Sequence, residues 1–364
     1  MRPQPLTTLS LRTPRIAPLV AAVLSALVMA GCTSWPLVAG DEAPPADQGT
    51  MADGGDQAAS DGYNRDDQAP GFFRMRMGKY VITALYDGSI DINSTLMKGR
   101  PQATITRMLS QAKQPRDVRT PVNAFLLDDG ERIVLVDAGA SEAFGESMGK
   151  LQASLTMSGY KPEDIQIVLL THLHPDHVGG LLLNNQAAFP NAQVYAPQSE
   201  AAHWLSEERN NSASQQVFKG VQGALAAYQA SGRFHTFAAG AAPVEGIDSM
   251  ALPGHTPGHT AYKIQSGKET MLIWGDVVHS ASTQFSDPTI SLEFDNDQKK
   301  ARVSRAKALR EAAVTGEWVA GAHLPFPGIG RVQTLSKTSY RWLPIDYSQA
   351  MTDPEQRQPS IGSK

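Results

Sequence analysis

The chain has 364 residues, of which 41% are hydrophobic and 19% charged, and its formal net charge is −4. These proportions are typical of a globular protein with a substantial core, and the length suits one large or two modest domains. Residues 71–364 carry 28 basic and 28 acidic side chains without a basic run, so we expect no nucleic-acid partner. The single cysteine, Cys32, excludes an intrachain disulfide and a cysteine-rich metal site.

The first 32 residues have the pattern of an export signal. Three arginines precede a nearly uncharged apolar run over residues 16–30, which is too short for a membrane-spanning helix. The run leads into "LVMAGC", which resembles a bacterial lipobox whose cysteine, here Cys32, is lipidated and becomes the mature N-terminus. Ordinary cleavage near Ala30 or Ala39 is the alternative. We therefore expect a signal peptide over residues 1–32 and an exported protein, in the periplasm or at the outer membrane as a lipoprotein, with a membrane contact only through this anchor.

A linker is predicted between the signal peptide and the folded part. Residues 33–70 are rich in Ala, Asp, Gly, Gln and Pro and poor in large apolar side chains. Such a segment cannot bury enough apolar surface to offset its ordering entropy, so it is predicted to be a disordered acidic tether. A folded domain is expected over residues 71–350, followed by a polar tail over residues 351–364.

Short β-rich segments alternate with helical segments after residue 71. Strands are predicted in "KYVITALYDG" and "RIVLVDAGA", and "VNAFLLDDGERIVLVD" indicates a hairpin with its turn near Asp129-Gly130. A helix is predicted in "GKLQASLTMSGY". The unbroken apolar run in "DIQIVLLTH" predicts a strand buried on both faces.

The second half of this region repeats the mixture of strands and helices. Two helices are predicted over residues 199–208 and 214–230, and three strands near residues 246–252, 260–265 and 270–274. The last predicted helix is "DQKKARVSRAKALREAAV", with one face formed by Val303, Ala306, Leu309 and Ala313. Together these elements predict a mixed α/β sandwich.

The most informative segment is "THLHPDHVGG", residues 171–180, which holds three of the nine histidines. Residues two apart in an extended chain point the same way, so His172 and His174 are expected to face one metal ion. The intervening proline bends the chain, after which Asp176 and His177 can face a second ion. Imidazole and carboxylate ligands suit zinc and other first-row divalent ions. A polar loop with scattered histidines is the alternative interpretation.

Further candidate ligands follow at other strand ends. The segment "LPGHTPGHT" offers His255 and His259, "LIWGDVVH" places Asp276 after an apolar strand, and "GAHLPFPGIG" places His323 after another. This order, with glycines beside the ligands, resembles the metallo-β-lactamase superfamily of hydrolases over about residues 79–345. The resemblance implies an αββα sandwich with the metal site at one edge, between the two sheets.

The same resemblance implies a dinuclear site whose ligands come from four loops. The first ion would be held by His172, His174 and His255, and the second by Asp176, His177 and His323, with Asp276 bridging both. The two carboxylate ligands, Asp276 and Asp176, are therefore the expected catalytic residues. The expected ions are two divalent cations, Zn²⁺ foremost, with Mn²⁺, Co²⁺ or Fe²⁺ as alternatives.

The resemblance also implies supporting roles around these ligands. Asp137, in "VLVDAG", would orient a ligand histidine, and His259 would support its loop instead of binding metal. His279, His203 and His235 match no motif of the family, so surface or packing roles are expected for them.

Two ions of this kind favour hydrolysis. Free water has a pKa of 15.7, and metal binding lowers it to about 7, which corresponds to ~12 kcal/mol. A hydroxide held between two cations is also positioned for attack, and the second cation can stabilise the developing oxyanion. We therefore expect a hydrolase in which a metal-bridging hydroxide attacks an ester-type centre.

Longer segments are similar to the methyl parathion hydrolase group and its exported relatives, among them "GDVVHSASTQFSDP" and "HLPFPGIGRV". This similarity implies small-molecule substrates: aryl phosphotriesters, lactones or aryl esters. It also implies a pocket lined by Phe144, Trp204 and Phe218, although core packing is an equal alternative for each aromatic. The segment "NNSASQQVFKG" is shorter than in that group, which puts the pocket shape in doubt.

Several alternatives stay open. One is a quorum-quenching-type lactonase without significant phosphotriesterase activity. Lactonases of a neighbouring branch use a tyrosine near the metals, and Tyr262 is a candidate for it by its position in the sequence only. Another is a non-catalytic metal-binding lipoprotein of the envelope. Flavodiiron oxidoreductases carry glutamate at the position of His174, and one group of zinc β-lactamases carries cysteine at that of Asp276, so both are disfavoured. Relatives are often dimers, which leaves a homodimer open.

Overall fold

The structure, a computed structural model, describes residue 69 and residues 71–206 and 215–347. Its strands are β1 (Phe72–Met77), β2 (Tyr80–Asn93), β3 (Met97–Lys98), β4 (Asp117–Asp128), β5 (Ile133–Val136), β6 (Ile167–Leu169), β7 (Leu182–Leu183), β8 (Gln186–Ala187), β9 (Gln193–Pro197), β10 (Phe234–Phe237), β11 (Ile247–Ala251), β12 (Thr260–Ser266), β13 (Glu269–Ile273), β14 (Ser291–Leu292), β15 (Trp318–Ala320), β16 (Ile329–Ser336) and β17 (Ser339–Pro344). Its α-helices are α1 (Gln102–Gln111), α2 (Leu151–Met157), α3 (Pro175–Val178), α4 (Gln198–Trp204), α5 (Gln215–Ala230), α6 (Ala281–Gln284) and α7 (Gln298–Thr315).

Two mixed sheets form the framework. The N-terminal sheet has the order β1-β2-β4-β5-β6-β9-β10, in which β1, β2, β4 and β5 pair antiparallel and β5, β6, β9 and β10 pair parallel. The C-terminal sheet has the order β11-β12-β13-β15-β16-β17, and its neighbours pair antiparallel except for the parallel pair β13 and β15. Two small ribbons, β3 with β14 and β7 with β8, lie outside these sheets.

The strands alternate between two hydrophobic layers, because successive side chains of a strand point to opposite faces. In β4, Phe125 and Leu127 belong to the core shared by both sheets, whereas Ala124 and Leu126 pack in the layer that contains α2 and α5. In β13, Leu272 instead packs with α7 on the outer side of the C-terminal sheet. The resulting order of layers is helix, sheet, sheet, helix, and the predicted αββα sandwich is confirmed.

Most predicted elements have the expected type. The hairpin pairs Asp128 with Ile133 around the turn at Asp129 and Gly130, and the strand predicted in "DIQIVLLTH" forms β6 between two parallel neighbours. The helix predicted over residues 199–208 forms α4, which is shorter and ends at Trp204.

The face predicted for the last helix is buried only in part: Leu309 is buried, Ala306 and Ala313 are half-buried, and Val303 is exposed. Val303 is 66% exposed, and the residues of α7 that are buried are Ala301, Ser304, Arg305, Ala308, Leu309 and Ala312. The reason is Arg305, whose guanidinium is buried and donates hydrogen bonds to the carbonyl oxygens of Val277, Pro288 and Ile290. A buried cation is tolerated when its donors are satisfied in this way, so the arginine sets the rotation of the helix.

Several predicted segments cannot be compared with the structure. The signal peptide over residues 1–32 and the tail over residues 351–364 lie outside the described residues, as does the tether apart from residue 69. Within the described ranges, no helix is long and apolar enough to cross a membrane.

Candidate metal centre

Four loops meet at one edge of the sandwich, where β6, β11, β13 and β15 end. They carry the residues 172–177, His255, Asp276 and His323. The turn before Asp276 needs a glycine: Gly275 has a φ of +55°, and a Cβ there would lie 2.8 Å from both His259 Nε2 and Thr171 Oγ1. The loops are therefore packed against each other without room for a side chain at this turn.

The first group of ligand atoms joins the two sheets. His174 Nδ1 lies 3.0 Å from His172 Nε2 and 2.9 Å from His255 Nε2. Asp276 Oδ2 completes the group at 3.1 Å from His255 Nε2. All four ligand atoms lie within 4.8 Å of one another. The expected ligands of the first ion are thus brought together.

The second group lies beside the first. Asp176 Oδ2 lies 3.6 Å from His177 Nε2 and 3.4 Å from His323 Nε2. The Asp276 carboxylate contacts this group too, with Oδ1 3.1 Å from His177 Nε2 and Oδ2 3.1 Å from His323 Nε2. Asp276 therefore lies between the groups, where a carboxylate can serve both.

The chemistry of these atoms fits divalent cations. His177 Nε2 and Asp276 Oδ1 are buried and make no hydrogen bond to any described residue. Lone pairs of neighbouring imidazoles converge at about 3 Å, which is unfavourable unless a proton or a cation lies among them. Tetrahedral zinc with bonds of about 2.1 Å places its ligand atoms about 3.4 Å apart, close to the separations in both groups. Nitrogen and carboxylate donors without sulfur are a set that zinc, manganese, cobalt and iron accept.

Hydrogen bonds on the far side of each ring fix which nitrogen faces the cluster. His177 Nδ1 donates to Asp137 Oδ2 over 2.8 Å, and His323 Nδ1 donates to the Pro121 carbonyl over 2.8 Å. His255 Nδ1 donates to Asp295 Oδ1 over 2.9 Å. Because carboxylate and carbonyl oxygens only accept, each Nδ1 holds the proton and each Nε2 keeps its lone pair for a ligand. Sequence reasoning pointed to Asp137 and missed Asp295, which belongs to no motif.

Electrostatics within the cluster differ from ring to ring. Burial lowers the pKa of His172 well below its usual range, which favours the neutral ring that binds a cation. Burial also opposes protonation of His177, but the carboxylates of Asp276 and Asp137 outweigh it and raise the pKa of that ring. Burial opposes ionisation of Asp276, yet the surrounding histidines lower the pKa of its carboxyl.

His259 is held by backbone on both sides of its ring. Nδ1 donates to the Leu252 carbonyl over 3.1 Å, and Nε2 accepts from Asp276 N over 2.9 Å. Burial lowers the pKa of this ring to about 3, so it is neutral. Its ring therefore ties two of the loops together instead of facing the ligand atoms.

His279 matched no motif in the sequence, and of the surface or packing roles expected for it the structure excludes only the surface one. Its ring is buried, its Nε2 lies 3.0 Å from Asp276 Oδ2, and it stacks on His323 with ring centres 4.7 Å apart. These three residues form a further group of metal-capable atoms. The available signal was its position three residues after Asp276. His203 instead packs against Trp204, outside the cluster.

The predicted pocket aromatics lie in different surroundings. Trp204 contacts the His174 ring edge-on at 5.5 Å, and Phe218 packs behind it at 4.6 Å. Phe144 packs in a separate small apolar cluster. Phe294, which sequence reasoning missed, is half-buried with its ring 5.4 Å from that of His279. In the described part of the chain, Trp204 and Phe294 therefore place their aromatic rings against the metal-capable histidines.

His235 and Tyr262 lie elsewhere. His235 hydrogen-bonds Gln193 over 2.7 Å. The Tyr262 hydroxyl is buried and donates to the Leu170 carbonyl over 2.6 Å, within the core between the sheets. The tyrosine expected by position therefore has its hydroxyl engaged by backbone.

Comparison with known proteins places this site in a family. The sequence model of the metallo-beta-lactamase superfamily matches residues 117–323, which is more than half of the chain and contains both groups of ligand atoms. The chain belongs to the metallo-β-lactamase superfamily. It is thereby a metallo-hydrolase by family, with lactonases among its relatives.

Individual superfamily members agree with this assignment. The crystal structure of "hydrolase AbOPH in beta lactamase superfamily" is 37% identical and covers 77% of this chain and 99% of its own, with a TM-score of 0.74. AidC, described as a dizinc quorum-quenching lactonase, is 28% identical over 76% of this chain and 98% of its own, with a TM-score of 0.69. An N-acyl homoserine lactonase of Bacillus cereus is 25% identical over 51% of this chain and 75% of its own.

Proposed function

We propose that the protein is a dinuclear metal-dependent hydrolase of small lactones and related esters. The observation that carries this proposal is the convergence of the two ligand groups on Asp276. Its Oδ2 lies 3.1 Å from His255 Nε2 of the first group, and its Oδ1 lies 3.1 Å from His177 Nε2 of the second. The lactonase relatives support a lactone as substrate, and the dizinc description of AidC supports zinc.

Divalent ions held by these two groups would supply a water with its pKa lowered to about 7 and a positive field for an oxyanion at the attacked carbon or phosphorus. The residues of the chain supply the rest. Asp276 and Asp176 contribute the negative charge that holds the cations. Asp137 and Asp295 keep two ligand rings in the required tautomer. The ring of Trp204, edge-on to His174, offers an apolar surface beside the reacting group.

Aryl phosphotriesters and aryl esters are the second candidate substrate class. Besides the sequence similarity to the methyl parathion hydrolase group, the position of Tyr262 favours them, because its hydroxyl is engaged by the Leu170 carbonyl. An aryloxide is weakly basic enough to leave without a proton donor, whereas the alkoxide of an opened lactone is not.

A substrate panel tests the proposal. Protein loaded with zinc, manganese or cobalt is assayed on an N-acyl homoserine lactone, an aromatic lactone, a nitrophenyl ester and a nitrophenyl phosphotriester, and its metal content is measured. We expect turnover with about two ions per chain, and the ratio of kcat/KM for the lactones to that for the phosphotriester decides between the substrate classes. Two bound ions without turnover on any member would instead support a non-catalytic metal-binding protein.

Replacing the shared carboxylate tests the site itself. Asp276→Ala should abolish turnover and lower metal content, since both groups lose a ligand. The matched control is Asp248→Ala at an exposed carboxylate on β11, which should leave both turnover and metal content unchanged. Full activity of Asp276→Ala would refute the assignment.

We also propose that the protein is exported and lipidated at Cys32, on the basis of the segment "LVMAGC". Mass spectrometry of the mature N-terminus tests this. A lipid-modified Cys32 in the membrane fraction is expected, whereas a mature chain that starts near Ala30 or Ala39 in the soluble periplasm would contradict lipidation alone.

A further inference from the structure

Glu200, on α4, is a buried carboxylate outside both ligand groups. Its side chain is fully shielded from solvent, and none of the described basic side chains forms an ion pair with it. An isolated carboxylate is costly to bury unless hydrogen-bond donors compensate for lost water. Its donors therefore indicate what it is bound to.

These donors come from three different segments. Oε2 accepts from the Leu173 backbone N over 3.1 Å and from the Trp204 indole Nε1 over 2.9 Å. Oε1 accepts from the Gly258 backbone N over 2.6 Å. Leu173 lies between His172 and His174, and Gly258 follows His255 by three residues. A single carboxylate thus binds the backbones of both loops that supply the imidazoles of the first group.

The loop that carries His255 is also pressed onto the start of α4. A Cβ at Gly258 would lie 2.3 Å from Ser199 Oγ and 2.7 Å from the Glu200 backbone N. Any larger residue would move this loop away from the helix and lengthen the hydrogen bond to Oε1. The contact and the hydrogen bonds therefore act together on the position of the loop.

The third donor, the Trp204 indole, connects Glu200 to the aromatic side chain that lies beside His174. The Trp204 ring that donates to Glu200 also contacts His174 edge-on, with ring centres 5.5 Å apart. Among the described residues, the Glu200 carboxylate makes no hydrogen bond to Asp176, His177 or His323, which form the second group. The backbone groups that it binds at Leu173 and Gly258 are nearest in the chain to ligands of the first group, so its influence is expected to be larger on that group.

We propose that Glu200 is a positioning residue that sets the spacing of His172, His174 and His255 and fixes Trp204 beside them, so that the affinity for the first ion depends on it. The inference rests on the proposed metal site. Glutamine is the sharpest replacement, because it keeps the volume but has a single acceptor oxygen. Its amide N–H groups would face donors on one of the two loops.

The experiment is a titration of the metal-free full chain with Zn²⁺ against a competing chelator, which yields a dissociation constant for each of two binding steps. Glu200→Gln should weaken one step by about 10- to 100-fold, in the range of other residues that orient metal ligands, and leave the other within about threefold. The step affected should differ from the one weakened in Asp137→Asn, since Asp137 orients His177 of the second group.

Glu317→Gln is the matched control. Glu317 is also a buried carboxylate, but it pairs with Lys263 over 2.9 Å next to β15 and contacts neither ligand loop. The Glu317→Gln variant should have a lower melting temperature in its metal-free form, but the same dissociation constants as wild type for both zinc-binding steps. If Glu200→Gln does not fold, Gly258→Ala displaces the same loop and should weaken the same step.

The outcomes separate the two proposals. Wild-type protein that binds no ion at this site would refute the proposed function, and the role of Glu200 with it. Wild-type protein that binds two ions, together with folded Glu200→Gln or Gly258→Ala protein that binds both equally well, would refute the role of Glu200 alone. Equal weakening of both steps would also refute it, because the effect would then be a general loss of structure.

Discussion

The outward-facing hydrogen bonds of two ligand histidines give the sharpest prediction. Asp137 accepts from His177 Nδ1, and Asp295 accepts from His255 Nδ1. The other oxygen of each carboxylate accepts from a backbone N–H: Asp137 Oδ1 from Thr171 over 2.8 Å, and Asp295 Oδ2 from Leu292 over 2.9 Å. An asparagine at either position would keep its oxygen on the backbone N–H, which turns its amide nitrogen towards the histidine.

Two donors cannot share one hydrogen bond, so the imidazole must then move its proton from Nδ1 to Nε2. In this tautomer Nε2 loses the lone pair that would bind the cation. Removing such a partner typically weakens metal binding by about 10- to 100-fold, or ~1.4–2.7 kcal/mol. The lost charge-assisted hydrogen bond is itself worth ~1.5–3 kcal/mol, which agrees with this range.

The assay is the same two-step zinc titration, made on Asp137→Asn and Asp295→Asn in parallel. Asp137→Asn should weaken the step that belongs to His177, and Asp295→Asn the step that belongs to His255. The two variants serve as controls for each other, because the same chemical change is made on opposite sides of the cluster. If both weaken the same step, or neither weakens any, the reasoning from tautomers is refuted.

Three further predictions concern the surroundings of the cluster. His259→Ala leaves two buried backbone groups, the Leu252 carbonyl and Asp276 N, without their hydrogen-bond partner. It should lower the free energy of unfolding of the metal-free protein by ~2–6 kcal/mol in urea denaturation. A change below about 1 kcal/mol would contradict the supporting role. Tyr262→Phe leaves the Leu170 carbonyl without its hydrogen bond and should lower the free energy of unfolding by ~1–3 kcal/mol. The kcat on lactones and esters should stay within about threefold of wild type. A large loss of kcat would show that this hydroxyl acts in turnover. Burial opposes ionisation of Asp129, but hydrogen bonds from backbone N–H groups of its turn and from Lys79 lower the pKa of its carboxyl to about 2. The ionised Asp129 therefore stabilises the folded protein above pH 4, and this stabilisation is lost as the pH falls towards 2. The difference in unfolding free energy between wild type and Asp129→Asn should shrink over that range, and a difference that grows would contradict the prediction.

The sequence predicted the fold well because its strands have a regular pattern. The pattern predicted a mixed α/β sandwich, and the alternation of Phe125 and Leu127 with Ala124 and Leu126 between two apolar layers agrees with it. The αββα order of the layers was implied by the resemblance of the ligand motifs to the superfamily. The face of α7 could not be predicted in the same way. Arg305 is counted as a surface residue in any apolar pattern, and the carbonyl oxygens that make its burial favourable come from distant segments.

The same distinction applies to the site. The ligand loops have local motifs, since each metal-capable side chain follows a strand and is flanked by glycine. Glu200 and Asp295 have no such motif, because the ligand loops that they bind, at Leu173 and His255, lie 27 and 40 positions away in the chain and become neighbours only after folding. His279 is an intermediate case: its position three residues after Asp276 was visible, but its stacking on His323 was not.

Both ligand groups connect the two sheets of the sandwich. Each contains side chains from loops of the N-terminal sheet and of the C-terminal sheet, so a cation bound there is a reversible cross-link between the halves of the sandwich. By mass action, a cation at a thousand times its dissociation constant should stabilise the folded chain by about 4.1 kcal/mol. The lifetime of the protein in its compartment would then follow the local supply of free metal.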